Sequence, residues 1–341
     1  MKMEGGHAAV LIIFIFCSAL LPSEATKRGS GNQYLYVGFY DKTCPLAEQI
    51  VADAVSRAFW TNRGNAAGLI RLFFHDCFVN GCDASILLDS TPSGEPVEKE
   101  SPANGFTLRG LEVIDEIKSE LEQECPGIVS CADILAFASR EAVVRSGLTH
   151  YPVPAGRRDG RSSRAVDVIG NIPGPSLTID AIAEIFAKKG FTIEEMVVLL
   201  GAHSIGVSHC SSFDYRLYNF NSTHSQDPNL NIRHATYLSF VCPPRESLLA
   251  QVEGNQAVAF DHPSPNRLDN IFYVHLLHGN ALLQSDQAMA YDPRTSKIVT
   301  RLAFDLQAWS KEFPKAMIRL GTVDVLTGRK GEIRTTCRAV N

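Results

Sequence analysis

RLFFHDCFVNGCDAS, residues 71–85, is the stretch that decides how this chain is interpreted. Arg71 and His75 are four residues apart, so on a helix they lie on one face and place a cation beside a base. The residues that follow offer the carboxylates of Asp76 and Asp83, the hydroxyl of Ser85 and several main-chain carbonyls. Calcium prefers oxygen ligands of this kind. The stretch therefore predicts two adjoining sites, one for acid–base chemistry and one for a hard cation.

The rest of the chain has mainly helical patterns. Apolar residues recur at a period of 3.6 through residues 110–125, as in an amphipathic helix. Ser130 is a predicted helix N-cap, a further helix is expected to begin at Thr178, and Thr192 with Glu195 forms a capping-box pattern at the start of the next. Two late amphipathic runs are expected to be separate helices divided by Pro314. Strand-like alternation is scarce, so an all-α fold is predicted.

The N-terminus has the pattern of a secretory signal peptide. Lys2 precedes an apolar run over residues 8–21, and small residues end the segment at 25. A membrane anchor is the alternative, but this run is shorter than the roughly 20 apolar residues that span a bilayer. We therefore expect a signal peptide over residues 1–25, a mature domain over 26–341, and no membrane association.

Charge and cysteine content favour a secreted globular protein. The formal net charge is −5 and no basic patch is present, so no nucleic-acid partner is expected. Cys17 would leave with the signal peptide, and the other eight cysteines are predicted to form four disulfides in an oxidising compartment. The sequence alone leaves their pairing open. Asn221 begins the sequon Asn-Ser-Thr and is a candidate glycosylation site.

A second histidine motif, LGAHSIGVSHC, covers residues 200–210 and ends the helix that Thr192 opens. Taken alone, His203 at such a helix end is more often a core or cap residue than a ligand. Together, however, the two histidine motifs and the segments FDHPSPNRLDN (260–270) and LLQSDQ (282–287) resemble secreted plant (class III) haem peroxidases in order and spacing. The resemblance covers nearly the whole mature chain. It implies an all-α haem peroxidase fold, with haem between distal and proximal helical lobes that the sequence does not separate.

The resemblance implies a role for residues on each side of the haem. On the proximal side, His203 would be the axial iron ligand, and Asp286 would accept a hydrogen bond from its other ring nitrogen. No CxxCH motif occurs, so one non-covalent haem b is expected.

On the distal side, His75 would move a proton as base and then acid. Asn104 would accept a hydrogen bond from it, Arg71 would stabilise charge on the departing oxygen, and Phe74 would limit access to the iron.

Two calcium ions are also implied. At the distal site Asp76, Asp83 and Ser85 would bind through side chains, and Val79 and Gly81 through carbonyls. Glu98 would lie behind Asn104 and be linked to this calcium site by the family's hydrogen-bond network. The proximal ligands would be Ser204, Asp261, Ser264, the Arg267 carbonyl and Asp269. Serine stands at 204 and 264 where the family often has threonine, and each retains the coordinating hydroxyl.

By the same resemblance, the eight cysteines pair in a definite way. The expected disulfides are Cys44–Cys125, Cys77–Cys82, Cys131–Cys337 and Cys210–Cys242. The long link from Cys131 would tie the end of the chain to its first half.

The function implied is peroxide reduction coupled to two one-electron oxidations of phenolic donors, such as lignin and cell-wall phenolics, or a role in oxidative stress. Pro173 is a candidate donor contact. A secreted, extracellular monomer acting in the cell wall is expected. One alternative is a non-catalytic calcium- or wall-binding protein, but Arg71, His75, Asn104 and His203 are all retained. A zinc protein is a weaker alternative, because its histidine pairs lack a spaced Cys/His set.

Overall fold

The structure is a computed structural model that describes Met1 and residues 34–247 and 254–341. The predicted signal peptide, except Met1, and the predicted start of the mature domain at residue 26 lie outside these ranges. No helix in the described ranges is long and apolar enough to cross a membrane.

Within these ranges the protein is mostly α-helical, with one small two-stranded sheet, which confirms the predicted fold class. The helices are α1 Ala47–Thr61, α2 Gly64–Val79, α3 Leu111–Glu124, α4 Cys131–Arg145, α5 Ala165–Val168, α6 Ile179–Lys188, α7 Ile193–Leu200, α8 Tyr215–Tyr218, α9 Ile232–Val241, α10 Ile271–Leu277, α11 Gln284–Ala288, α12 Ser296–Phe304 and α13 Leu306–Leu320. Short 3₁₀ turns lie at Ser85–Leu87, Glu98–Glu100, Gly105–Thr107, Gly201–Ser204 and Cys210–Ser212. Strand β1 (Val207–His209) pairs antiparallel with β2 (Ala257–Ala259).

The predicted helix starts are confirmed by their capping hydrogen bonds. The side chain of Ser130 accepts from the main-chain N–H of Asp133, and that of Thr178 accepts from Ala181. Thr192 forms the reciprocal capping box at the start of α7. These local bonds satisfy main-chain donors that have no partner within the helix.

The prediction for Pro314 is wrong. The break between the two late helices is at Asp305, whose side chain accepts from the N–H of Ala308, and Pro314 lies inside α13. The apolar side of α13 continues past the proline, with Trp309, Phe313 and Met317 all buried. Burial of these large side chains offsets the one hydrogen bond that proline removes.

Helix α4 is the centre of the main core. Every residue from Cys131 to Val143 is buried, and the helix packs against α1, α2 and α3. A smaller apolar cluster surrounds the Cys210–Cys242 disulfide and includes Phe213 and Leu238. Helix α2 therefore packs against a neighbour that is almost entirely buried.

All four expected disulfides are present. The structure pairs Cys44 with Cys125, Cys77 with Cys82, Cys131 with Cys337, and Cys210 with Cys242. The Cys131–Cys337 bond spans 206 residues and attaches the C-terminal segment to the start of α4.

The C-terminal segment is also fixed by a buried arginine. The Arg334 guanidinium donates to the carbonyl of Ala84 at 2.7 Å and to that of Cys337 at 2.9 Å. Its Nε lies 3.8 Å from the buried carboxylate of Asp159. Arg334 therefore joins the end of the chain to the segment that follows α2.

We expect the substitution Arg334→Met to lower the free energy of unfolding by about 3–5 kcal/mol, because it leaves the buried Asp159 carboxylate without its cation. Arg338→Met is the matched control, since Arg338 pairs with Asp115 in a partly exposed position, where such pairs contribute about 0–1 kcal/mol. Denaturant unfolding of both variants measures the difference. Equal losses would contradict the assigned role of Arg334.

Candidate active site and cation sites

Helix α2 carries the distal group. Arg71 and His75 lie one turn apart on it, while Leu72 and Phe73 between them face the core and are buried. The Arg71 guanidinium donates to the carbonyls of Ala103 at 2.9 Å and Thr107 at 3.3 Å. The predicted juxtaposition of cation and histidine is thus present, and it is fixed from a second segment.

The orientation of the His75 ring is set by Asn104. His75 Nδ1 lies 2.5 Å from Asn104 Oδ1, while Asn104 Nδ2 donates to the carbonyl of Glu98 at 2.7 Å. Because the Asn104 oxygen can only accept, Nδ1 must carry the proton. His75 Nε2 therefore keeps its lone pair and forms no hydrogen bond with any described residue.

The surroundings keep His75 neutral. Its burial, and next the charge of Arg71, hold the pKa of His75 well below its ordinary value of 6.5, although the bond with Asn104 acts in the opposite direction. Burial, together with Arg109, lowers the pKa of Arg71 to about 10, so its side chain remains a cation at neutral pH. The pair is therefore a neutral base beside a cation.

The proximal histidine lies in the 3₁₀ turn after α7. His203 Nδ1 lies 2.8 Å from Oδ2 of Asp286, a buried residue of α11. Phe260 stacks on the His203 ring, with centroids 4.3 Å apart and planes at 5°. No described residue bonds to His203 Nε2, and a carboxylate-oriented imidazole with free Nε2 fits an axial haem ligand.

Phe260 was not predicted from the sequence. It is one apolar residue among several before Asp261, and only the fold shows that it faces His203. Pro173 is half-buried, in the loop between α5 and α6. Two residues on, the Pro175 carbonyl accepts from Ser285, so the candidate donor contact adjoins the helix that carries Asp286.

The loop after α2, which we call the distal loop (residues 79–85), brings several oxygens together. Burial raises the pKa of Asp76 and of Asp83 above their ordinary values, and it raises the pKa of Glu98 to about 8. The negative charge of Asp83 also raises the pKa of Asp76 and of Glu98. The geometry pairs the buried atoms Ser85 Oγ and Glu98 Oε2 with no hydrogen-bonding atom of the described residues. Such a group of buried acidic and orphaned oxygens fits a bound cation. Within the described ranges, no group of three or more His, Cys, Asp or Glu side chains is placed to hold a metal ion by itself.

The two expected carbonyl ligands have different surroundings. The Gly81 carbonyl accepts from the N–H of Asp83 at 2.8 Å, within the distal loop itself. The Val79 carbonyl accepts from Lys189 Nζ at 2.9 Å, a contact that sequence reasoning missed because the residues are 110 positions apart.

The five residues of the expected proximal cation site also converge. Ser204 Oγ donates to the carbonyl of Arg267 at 3.1 Å and lies 3.5 Å from Asp269 Oδ1. Ser264 Oγ lies 2.8 Å from an oxygen of Asp261 and 2.9 Å from one of Asp269. Both aspartates are buried, so the set is again rich in desolvated oxygen.

The candidate glycosylation residue is on the surface. Asn221 is exposed, and its side-chain oxygen accepts from the N–H and the hydroxyl of Thr223. Its side-chain nitrogen Nδ2 donates no hydrogen bond to any described residue.

Comparison with known proteins agrees with this geometry. A family model described as peroxidase matches residues 51–305. Peroxidase 5 of Vitis vinifera is 48% identical over 307 residues, which cover 90% of this chain and 92% of that protein. Peroxidase 1 of Zea mays is 41% identical over 100% of this chain and 91% of its own length, and Peroxidase 39 of Arabidopsis thaliana is 42% identical over 98% of each.

The chain belongs to the peroxidase family, and its relatives are plant peroxidases, which confirms the class III resemblance. It is therefore an oxidoreductase that acts as a peroxidase. Nothing in the comparisons favours the non-catalytic alternative.

We expect Gly81→Ala to be markedly more destabilising than Gly94→Ala. Both glycines have positive φ, at 99° and 69°, where alanine costs about 1–2 kcal/mol. A Cβ at Gly81 would overlap the main-chain oxygen of Asp324, whereas no atom of the described residues lies within 4 Å of one at Gly94. The overlap should cost a further 1–3 kcal/mol, roughly, in denaturant unfolding. Similar losses in both variants would show that Asp324 does not constrain the distal loop.

Proposed function

We propose that this peroxidase reduces hydrogen peroxide to water with one non-covalent haem b and oxidises phenolic donors in two one-electron steps. The observation that carries the proposal is the common arrangement of two histidines. His75 and His203 each have Nδ1 bonded to a side-chain oxygen, of Asn104 and Asp286, and each leaves Nε2 free of described residues. One suits a base and the other an iron ligand.

The proximal residues would hold the cofactor. Haem would supply the iron that takes up peroxide, and it would hold the two oxidising equivalents that peroxide delivers until two donors reduce it again. His203 would bind it through Nε2, with Asp286 accepting the Nδ1 proton and making the ring a stronger electron donor. Phe260 keeps the ring from rotating, because the two planes are nearly parallel and in contact.

The distal residues would move one proton across the peroxide. His75 Nε2 accepts it from one oxygen and returns it to the other, which leaves as water. Arg71 is a fixed cation one helical turn away and stabilises negative charge on the leaving oxygen. Phe74, half-buried and 4.2 Å from Phe78 between centroids, forms an apolar wall that restricts larger molecules. Each donor then loses one electron and one proton, so two donors balance one peroxide.

Two calcium ions would support this pocket. The buried acidic oxygens of the distal loop and the Ser204, Asp261, Ser264, Arg267 and Asp269 set each have the oxygen chemistry that calcium takes. Asp76 follows His75 directly, so a cation on Asp76 would restrain the base.

The proposal also covers where phenolic donors bind, where the protein is located and whether Asn221 carries a glycan. Phenolic donors would approach near Pro173, which is half-buried beside the proximal helix. The protein would be secreted to the cell wall as a monomer, with a glycan on exposed Asn221. The four disulfides support an oxidising compartment.

We expect haem-loaded protein to show a Soret band and to oxidise guaiacol when peroxide is added. His75→Leu should slow the peroxide reaction by about 10²–10⁴-fold, because it removes the proton acceptor and donor. The control is His278→Leu, since His278 is exposed and its side chain bonds only to the Val274 carbonyl of the preceding helical turn. Stopped-flow absorbance measures the peroxide step. A wild-type rate in His75→Leu, or no Soret band in the wild type, would refute the proposal.

The peroxide step should also remain fast below pH 6.5. A protonated His75 cannot accept a proton, so the rate falls only as pH drops through the pKa of His75, which burial and Arg71 lower. Removing the charge in Arg71→Leu should move this fall toward the ordinary histidine value, whereas Arg71→Lys should keep it acidic. Rate–pH profiles of the three proteins test this. A fall near pH 6.5 in the wild type would contradict the described burial of His75.

A further inference from the structure

A lysine from a distant helix end contacts the distal loop. Lys189 Nζ donates to the Val79 carbonyl at 2.9 Å and lies 3.8 Å from Oδ2 of Asp324. The Lys189 side chain is only 10% exposed, whereas that of Asp324 is 68% exposed. Val79 is the last residue of α2 and lies four positions after His75.

The position of Lys189 is fixed by its surroundings. It follows α6 directly, and Gly190 after it takes a left-handed conformation with φ of 82°, which ends the helix there. Phe186 and Phe191 on either side contact Phe78, the neighbour of Val79, with ring centroids 4.8 and 5.7 Å away. The main chain at Lys189 is therefore held by packed neighbours, and its side chain extends from there to the Val79 carbonyl.

This contact conflicts in charge with calcium binding. Val79 is one of the two carbonyls expected to bind the distal calcium, at the usual distance of about 2.3–2.6 Å. A calcium ion and the Lys189 ammonium on the same oxygen would lie within about 5.5 Å of each other. Two positive charges at that distance, in a largely buried place, repel strongly.

We propose that Lys189 sets the calcium affinity of the distal loop by competing with the ion for the Val79 carbonyl. Asp324 gives the ammonium a second, more exposed partner close to the first. Calcium binding thus requires the hydrogen bond between Lys189 and the Val79 carbonyl to weaken or break. The proposal rests on the calcium part of the proposed function and adds the residue that tunes it.

The test is a calcium titration of chelator-treated protein against a fluorescent calcium indicator. We expect Lys189→Met to bind calcium about tenfold more tightly in one of the two steps, a change of about 1.4 kcal/mol. Lys188→Met is the matched control, because Lys188 is the adjacent lysine, is exposed and pairs only with Glu184. Lys189→Arg, which keeps the charge, should stay near the wild type.

A second variant tests the role of Asp324. Asp324→Asn should weaken calcium binding, because the ammonium of Lys189 then loses the carboxylate to which it can turn when it leaves the Val79 carbonyl. Asparagine tolerates the positive φ of 44° at this position. In the Lys189→Met background the same change should have a smaller effect. An undiminished effect would show that Asp324 acts on calcium directly and would count against the competition.

The outcomes separate the two proposals. Equal affinities in Lys189→Met and Lys188→Met would overturn the competition, while leaving the calcium site in place. Weaker binding in Lys189→Met would also overturn it, because the lysine would then be holding the carbonyl in position for the ion. A wild-type protein that binds no calcium would refute the calcium part of the proposed function first, and the competition with it.

Discussion

The site depends on keeping a histidine neutral next to an arginine. Burial makes this possible, because desolvation disfavours the charged form of His75 and the adjacent Arg71 charge disfavours it further. The bond to Asn104 opposes both effects, yet it is what orients the ring. The bond with Asn104 thus favours protonation of His75, but it also fixes the proton on Nδ1 and leaves Nε2 as the basic nitrogen. The depth of burial of α2 against α4 makes this arrangement workable.

Helix α4 connects the surroundings of the two candidate cation sites. At its start, the N–H of Ala132 donates to Asp159, which adjoins Arg334 and, through it, the Ala84 carbonyl of the distal loop. Beyond its end, the carbonyl of Ser146 accepts from Leu268, between two members of the proximal set. Since α4 is almost entirely buried, both loops are attached to a close-packed part of the core. Loops on such a support hold their ligands closer to a fixed geometry than surface loops do.

The sequence predicts what is written locally or in recurring motifs. Arg71 and His75 could be placed on one face because four residues make one helical turn, and Thr192 was found because capping involves neighbours in the chain. Pro314 was misjudged because its local preference competes with the burial of a long apolar face, and that face is known only from tertiary packing. Phe260 and Lys189 have no local signal at all. The fold brings their partners to them from distant parts of the chain. In the sequence, Phe260 and Lys189 cannot be distinguished from any other apolar residue or lysine.

The acid–base group and the distal loop are joined twice. The first connection is covalent, since His75 and Asp76 are consecutive residues whose side chains serve different sites. The second passes through Glu98, whose carboxylate lies with the distal oxygens while its carbonyl accepts from Asn104, the residue that orients His75. Movement of Asp76 or of Glu98 therefore shifts both the position of the His75 ring and its hydrogen bond with Asn104. A cation bound at the distal loop would therefore act on His75 through two routes without taking part in the chemistry itself.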